Sequence, residues 1–224
     1  GRLPGRQVAA GGVSFQGRLV DLYRASLHLR TANRILMRIA AFRAENFRQL
    51  SSGLARVPWP LFLPAGAAPE VRVAARRCRL YHRQAVAERA AQQICDALGR
   101  PAGDAAAPLK PMIFVRGEAD RFTVSLDSSG PLLHRRGVKT QPASAPLRET
   151  LAAAVLMWAG YRPEEPLVDP MCGSGTFSVE AAMRVRRMPP GWFRRFAFEH
   201  WPAFAPRQWA FLRKEAEKAF IEPD

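Results

Sequence analysis

The feature that most constrains the fold is a turn with the spacing Asp-x-x-x-Gly-x-Gly, at residues 169–175. Residues 166–169 predict a short strand before it, and the periodic apolar residues after it predict a helix over 176–188. Glycines in such a turn let the backbone approach a ligand where a Cβ would clash, and amides at the helix start can meet a carboxylate or hydroxyl group. Because Asp169 ends the strand, where α/β sheets bind ligands, the turn predicts an α/β fold with a small-molecule site.

Other nucleotide-binding turns fit this segment less well. A phosphate-binding P-loop needs a Lys followed by Ser or Thr, and no Lys follows Gly175. The dinucleotide fingerprint needs a third glycine or alanine at position 178, which is Ser178. For the bare spacing, a strand–helix turn without any ligand stays a serious alternative.

Composition narrows the class of protein. The chain of 224 residues is 48% hydrophobic, enough for a core, and its formal net charge of +15 favours a polyanionic partner, nucleic acid or an acidic membrane surface. A basic proteome without such a partner is the alternative. Three widely spaced cysteines exclude a disulfide framework and a zinc site, which favours a reducing cytoplasm and no metal. No apolar run approaches the roughly 20 residues that span a bilayer, so we expect no membrane-spanning segment. Of the two polyanions we expect nucleic acid as the partner and not a membrane.

The remaining patterns predict strands and helices in the N-terminal part of the chain and mainly helices in the C-terminal part. Residues 12–17 and 34–42 predict strands, and residues 19–32 and the stretch around Phe47 and Leu54 predict helices. After a Pro/Gly/Ala break at 64–69, a strand in 70–80, a helix over 84–98 and strands at 112–116 and 121–126 indicate a small α+β module. A basic linker over 127–139 leads to a helix that opens at Pro146 and ends at Gly160, and a last helix is predicted over 206–220. For the helix before Gly160 the spacing predicts a buried face of four residues: Leu147, Leu151, Val155 and Trp158.

Several segments resemble one family. Residues 167–182 (LVDPMCGSGTFSVEAA) closely resemble motif I of the THUMP-domain RNA methyltransferases, and residues 125–137 and 145–153 resemble that family's linker and first methyltransferase helix. Residues 11–17 (GGVSFQG) are similar to its N-terminal ferredoxin-like region. Residues 195–201 (RFAFEHW) are similar to its bacterial branch, which methylates N2 of a guanine in large-subunit ribosomal RNA.

The resemblance implies a fold class and three domains. The fold is a ferredoxin-like/THUMP RNA-binding front (α+β) followed by the first part of a Rossmann-like class I methyltransferase domain (α/β). The expected domains are a partial ferredoxin-like subdomain over 1–64, a THUMP-like RNA-binding module over 65–127 and the start of the methyltransferase domain over 128–224. The implied cofactor is S-adenosylmethionine, and the implied partner is large-subunit ribosomal RNA.

The resemblance also implies site residues. The cofactor-binding set is Asp169, Pro170, Met171, Cys172, Gly173, Ser174, Gly175 and Thr176 in the turn, with Pro146, Arg148, Glu149 and Thr150 beside it. Cys172 is expected to be a tight loop position and not a nucleophile. The implied RNA-binding set is Arg72, Arg76, Arg77, Arg79, His82, Arg83, Arg135, Arg136 and Lys139. Protection of a solvated strand edge is the alternative for the first six, and a charged linker without an RNA role is the equally weighted alternative for the last three.

The chain departs from the family in one respect that matters for activity. It lacks the Asn-Pro-Pro-Tyr-type motif that holds the target amine, and the acidic residue that would grip the cofactor ribose. We therefore expect a piece of a longer enzyme, truncated at both ends, without methyl transfer activity or tight cofactor binding by itself. The alternatives are a non-catalytic RNA-binding module and a DNA adenine or cytosine amino-methyltransferase.

Overall fold

The computed structural model describes residues 5–9, 11–99, 110–138 and 147–221. They divide into two compact units. The turn unit comprises Gly1–Ile35, Pro131–Arg194 and Ala205–Asp224, and the sheet unit comprises Leu36–Gly130 and Arg195–Phe204. In chain order the strands and helices are β1 (Gln7–Ala9), β2 (Gly12–Ser14), α1 (Leu19–His28), β3 (Leu36–Arg43), α2 (Phe47–Ala55), β4 (Glu70–Arg76), α3 (Arg83–Ala97), β5 (Met112–Glu118), β6 (Arg121–Asp127), α4 (Glu149–Trp158), α5 (Thr176–Val185) and α6 (Pro206–Glu217), with short 3₁₀ turns at Trp59–Leu61 and Ala197–His200.

The sheet unit is built on a four-stranded sheet in the order β3-β6-β5-β4. β6 pairs antiparallel with β3 and β5, and β4 pairs parallel with β5. Ala119 and Asp120 join β5 to β6 with positive φ angles of 48° and 63°, as a tight two-residue hairpin turn requires. The predicted strands and helices of this region are therefore confirmed, with ends shifted by a few residues.

One face of this sheet forms the core of the unit. Successive side chains of a strand point to opposite faces, so Ile113 and Val115 of β5 share a face with Phe122 and Val124 of β6, and all four are buried. α2 lies against this face. Its Gly53 is so close to the ring of Phe42 in β3 that a Cβ at this position would meet the ring at 2.4 Å. α3 packs against both α2 and β4.

The two compact units do not follow the three predicted domain ranges. β3, which belongs to the range 1–64, pairs along its whole length with β6 of the range 65–127. The family's domain boundaries stay a prediction, while the pairing shows that residues 36–130 share one sheet.

The turn unit contains the short β1–β2 hairpin and helices α1, α4, α5 and α6. Tyr23 of α1 is fully buried; its hydroxyl accepts a hydrogen bond from the Ala205 amide at 3.0 Å, and its ring meets Trp209 of α6 edge-to-face at 6.0 Å. α4 packs against α5. None of the helices in the described part of the chain is long and apolar enough to cross a membrane.

Two predictions for this unit were wrong. Residues 166–169 are described and do not form a strand, because a strand needs a hydrogen-bonded neighbour and no described segment pairs with them. The predicted buried face of α4 is exposed, with Trp158 at 92%, while Ala152, Ala153 and Leu156 are buried instead. The helix is apolar nearly all round, so its spacing cannot select the buried side, and its alanines allow the closer approach to α5.

Candidate cofactor-binding turn

The turn before α5 has the geometry that its two glycines predict. Gly173 and Gly175 both have positive φ angles, of 51° and 68°, and Gly175 is the residue that precedes the first turn of α5. Its amide donates to the Cys172 carbonyl at 2.7 Å, which closes the loop. A Cβ at Gly175 would meet no heavy atom within 4 Å, and one at Gly173 would meet only the Met171 carbonyl, at 3.9 Å. The space beside both glycines is therefore open to a ligand.

Asp169 is the first residue of this turn, and one of its two carboxylate oxygens accepts a hydrogen bond from the turn itself. Its Oδ1 accepts a hydrogen bond from the Met171 amide at 3.2 Å, which fixes the side chain over the loop. Its Oδ2 is buried and has no hydrogen-bond partner. A buried carboxylate oxygen without a partner costs free energy, so this atom is suited to a cationic or hydrogen-bond-donating ligand.

No side chain caps the N-terminus of α5. The first amides of a helix have no acceptor within the helix and carry its positive dipole end. Thr176 begins the helix; its hydroxyl lies 3.2 Å from that of Ser174 and donates to the Leu147 carbonyl at 3.4 Å. The turn is thereby held beside the segment that enters α4.

The predicted cofactor-binding residues at the start of α4 differ in their exposure to solvent and in their hydrogen bonds. Arg148 is exposed and Glu149 half-buried. Thr150 is buried, and its hydroxyl already donates to Oδ1 of Asn33 at 3.0 Å. Pro146 lies outside the described residues. Of the turn itself, Met171 and Cys172 are exposed, and Cys172 is a free thiol without a described catalytic partner.

A buried ion cluster that the sequence did not predict supports α5 from behind. Glu180, fully buried on α5, accepts from Nε of Arg136 at 2.9 Å and lies 3.5 Å from Nη1 of Arg30. Arg136 also donates to the Leu133 and Arg30 carbonyls, and Arg30 donates to the Met188 carbonyl at 2.6 Å. Burial lowers the pKa of Arg30, and the Glu180 carboxylate opposes that shift. The cluster thus joins the end of α1 and the basic linker to the helix that carries the turn.

This cluster removes Arg136 from the predicted RNA-binding set. Its side chain is buried, and its guanidinium is occupied by Glu180 and two carbonyls, so it is not available to a phosphate. Arg135 is exposed. Lys139 lies outside the described residues.

The other predicted RNA-binding residues all lie on the sheet unit and are exposed, in two groups. Arg72 and Arg76 point from β4 to the sheet face away from the helices. Arg77, Arg79, His82 and Arg83 follow in the connection to α3 and its first residue. Arg79 interacts with two acidic residues: its side chain forms an ion pair with Glu45 at 2.6 Å, and its amide donates to the Asp120 carboxylate at 2.7 Å. Nowhere in the described residues do three or more His, Cys, Asp or Glu side chains come together to hold a metal ion.

Comparison with known proteins agrees with this turn and with the fold. Residues 136–222 match the family model described as "RMKL-like, methyltransferase domain", and residues 5–36 match the "RlmL ferredoxin-like domain". The chain is 38% identical over 221 residues to the "Ribosomal RNA large subunit methyltransferase K/L" of Marinobacter nauticus, an alignment covering 94% of this chain and 30% of that protein.

Solved structures of similar proteins share the fold. One is a predicted N6-adenine-specific DNA methylase from Listeria monocytogenes, with a TM-score of 0.85 and 31% identity, over 96% of this chain and 58% of that one. Another is SMU.472 complexed with SAH, with a TM-score of 0.83 and 32% identity, over 96% of this chain and 58% of that one. The chain thus spans under a third of the Marinobacter protein's length and just over half of each solved relative.

The fold and the glycine turn are similar to those of methyltransferases with a ferredoxin-like front, the class that the sequence predicted. Within that class, the chain is similar to the RMKL-like family over residues 136–222 and to its ferredoxin-like domain over residues 5–36.

Proposed function

We propose that this chain is the RNA-binding front and the first cofactor-binding part of an S-adenosylmethionine-dependent methyltransferase that acts on large-subunit ribosomal RNA. The observation that carries the proposal is the Asp169 turn. It offers a buried carboxylate oxygen without a partner, beside two glycines that face open space. The binding of SAH by the similar SMU.472 protein supports the choice of cofactor.

The described residues have the right chemistry to hold that cofactor. Oδ2 of Asp169 would attract the ammonium of the methionine moiety, and the uncapped start of α5 would bind its carboxylate through backbone amides. Gly173 and Gly175 would let the ligand contact the backbone directly. When bound, the cofactor supplies an electrophilic methyl group on its sulfonium. The turn contributes position and charge, which are the main sources of rate in a direct transfer.

The finer substrate, N2 of a guanine, rests on the resemblance to the bacterial branch of the family. The net charge of +15 and the name of the Marinobacter relative support ribosomal RNA. The name of the Listeria relative instead favours the alternative of a DNA amino-methyltransferase that acts on adenine. The RNA and the DNA methyltransferase differ in the nucleic acid that they bind, so a binding competition between structured RNA and duplex DNA separates them. We expect the chain to bind the RNA more tightly.

A cofactor titration tests the proposal against the alternative of a non-catalytic RNA-binding module. We expect S-adenosylmethionine to shift the amide NMR signals of residues 169–178 in the wild-type chain, even at the millimolar affinity of a partial site. Asp169→Asn keeps the acceptor for the Met171 amide but removes the charge, so the dissociation constant should rise about tenfold. Asp96→Asn, at an exposed position near the end of α3, removes one charge elsewhere and should leave binding unchanged. A wild-type chain without any shift would favour the binding module.

Two further parts of the proposal follow from the sequence. The 224 residues carry no Asn-Pro-Pro-Tyr-type motif, so we expect the chain by itself to give no multiple turnovers on undermethylated ribosomal RNA. A cytoplasmic location stays a prediction from the cysteine pattern.

A further inference from the structure

The sheet of the sheet unit has one face opposite to the face that α2 and α3 cover, and this opposite face is rich in arginine. The strand registers align Arg38, Ser125, Phe114 and Arg72 in one row across the four strands. A second row, toward the other end of the strands, aligns Arg43, Arg121, Glu118 and Arg76, and Arg116 lies between the rows beside Thr123. The face therefore presents six arginines: Arg38, Arg43, Arg72, Arg76, Arg116 and Arg121.

All six arginines are exposed, and most of their charge is unpaired. Arg72 pairs with Glu70 at 3.1 Å and Arg43 with Glu45 at 3.0 Å, both at the surface where such pairs contribute little. Across the described residues, the other four have no carboxylate within 4 Å: Arg38, Arg76, Arg116 and Arg121. The exposed acidic residues on the same face are Glu70 and Glu118, so the exposed charge of the face is strongly positive.

The middle of this face combines an aromatic ring with hydroxyl groups. Phe114 is half-buried and stands between Arg72 and Ser125 in the first row. The Thr123 hydroxyl donates to the Arg116 carbonyl at 3.3 Å, so its oxygen keeps acceptor capacity. Across three strand spacings of about 4.8 Å, the row from Arg38 to Arg72 extends about 14 Å. The surface is large enough for two or three nucleotides.

We infer that this open sheet face, the Arg38–Arg121 face, binds an unpaired stretch of RNA. Arginines at both ends of the strands would hold phosphates in bidentate fashion, while the Phe114 ring would stack on a base. A duplex presents no base face to an aromatic ring, and the deep major groove of RNA excludes side chains, so an unpaired strand fits this surface better. The inference rests on the proposed function and names the surface through which its RNA is bound.

The test compares two triple variants of equal charge in the whole chain. Arg38→Gln/Arg116→Gln/Arg121→Gln removes three face arginines, while Arg48→Gln/Arg56→Gln/Arg89→Gln removes three exposed arginines from the α2 and α3 side. Fluorescence anisotropy measures the dissociation constant of a labelled, unpaired 12-nucleotide RNA over a range of salt concentrations.

We expect the face variant to bind at least tenfold more weakly than the wild type. Its slope of log affinity against log salt should fall by about 2, since each lost phosphate contact on a single strand contributes about 0.7. The α2–α3 variant should lose much less of either. Phe114→Leu, which keeps an apolar side chain without the ring, should weaken binding about fivefold or more at an unchanged salt slope.

Each alternative result is decisive. Equal losses in the two triple variants would overturn the face as the binding surface, although RNA binding itself would stand. A wild-type chain that binds no RNA would overturn the proposed function. Tighter binding of duplex than of unpaired RNA, with no effect of Phe114→Leu, would overturn the inference that the bound RNA is unpaired. If circular dichroism shows the face variant unfolded, Arg116→Gln replaces it, with an expected slope change of about 0.7.

Discussion

Two independent features favour a glycine at position 175: the backbone conformation and the space that the proposed ligand needs. The φ angle of 68° at Gly175 strains any side chain, and the space beside it is open. Gly160, just after α4, has the same conformation with φ at 71° and is equally open. Gly175→Ala and Gly160→Ala should therefore each lower the free energy of unfolding by about 1 kcal/mol. Only Gly175→Ala places a methyl group where the cofactor would contact the backbone, so only it should abolish the NMR shifts with S-adenosylmethionine. Equal binding by the two variants would contradict a cofactor role for the turn.

The same scale shows what the sequence could predict at the site. Two glycines after an Asp require a tight turn before a helix, and the structure has that turn at 169–175. The sequence could not predict that Arg136 is buried, because its partner Glu180 is 44 residues away and the pairing depends on tertiary packing. A basic run predicts net charge, but which of its arginines reach solvent depends on the contacts each one makes.

At the scale of elements, the Arg30–Glu180–Arg136 cluster holds α5 to α1 and to the linker. Removing one member of a buried ion cluster leaves the others charged and desolvated, which typically costs about 3–5 kcal/mol. Glu180→Gln should lower the free energy of unfolding by that amount, measured by urea denaturation. Glu165→Gln breaks the exposed pair with Arg162 (2.7 Å, side chains 74% and 45% exposed) and should cost under about 1 kcal/mol. Similar losses in the two variants would mean that the cluster is not a principal support of α5.

The elements themselves were predicted unevenly. Amphipathic α3 was located within one residue, since its apolar positions Val86, Ala90 and Ile94 have a clear helical period and are buried. α4 was located but assigned the wrong face, because a nearly uniform apolar sequence carries no period. The alternation in β3, β5 and β6 also contained the arginines of the open face, but a sequence does not reveal which strands align to bring them together.

At the scale of the whole molecule, acid should destabilise the chain partly through His134. Burial lowers the pKa of His134, the Glu149 carboxylate opposes this shift, and Arg148, Arg135 and Arg136 add to it. Its Nδ1 is buried without a hydrogen-bond partner. The unfolded chain therefore binds a proton at this histidine more readily than the folded chain does, below the ordinary pKa of 6.5. The stability associated with neutral His134 is complete above that pH and is lost as the pH falls through the lowered, folded-state value.

His134→Gln, which cannot be protonated, should therefore lose less stability than the wild type between pH 7 and pH 5. The measurement is the free energy of unfolding in urea at half-unit pH steps, which separates this contribution from the carboxylates that both proteins share. His200→Gln, which removes an exposed imidazole from the sheet unit, serves as the matched control for the substitution itself. A His134→Gln curve parallel to the wild type would show that the imidazole has the same proton affinity in the folded and unfolded chain. A steeper loss in the variant would reverse the sign of the linkage and place a stabilising anion beside the protonated ring.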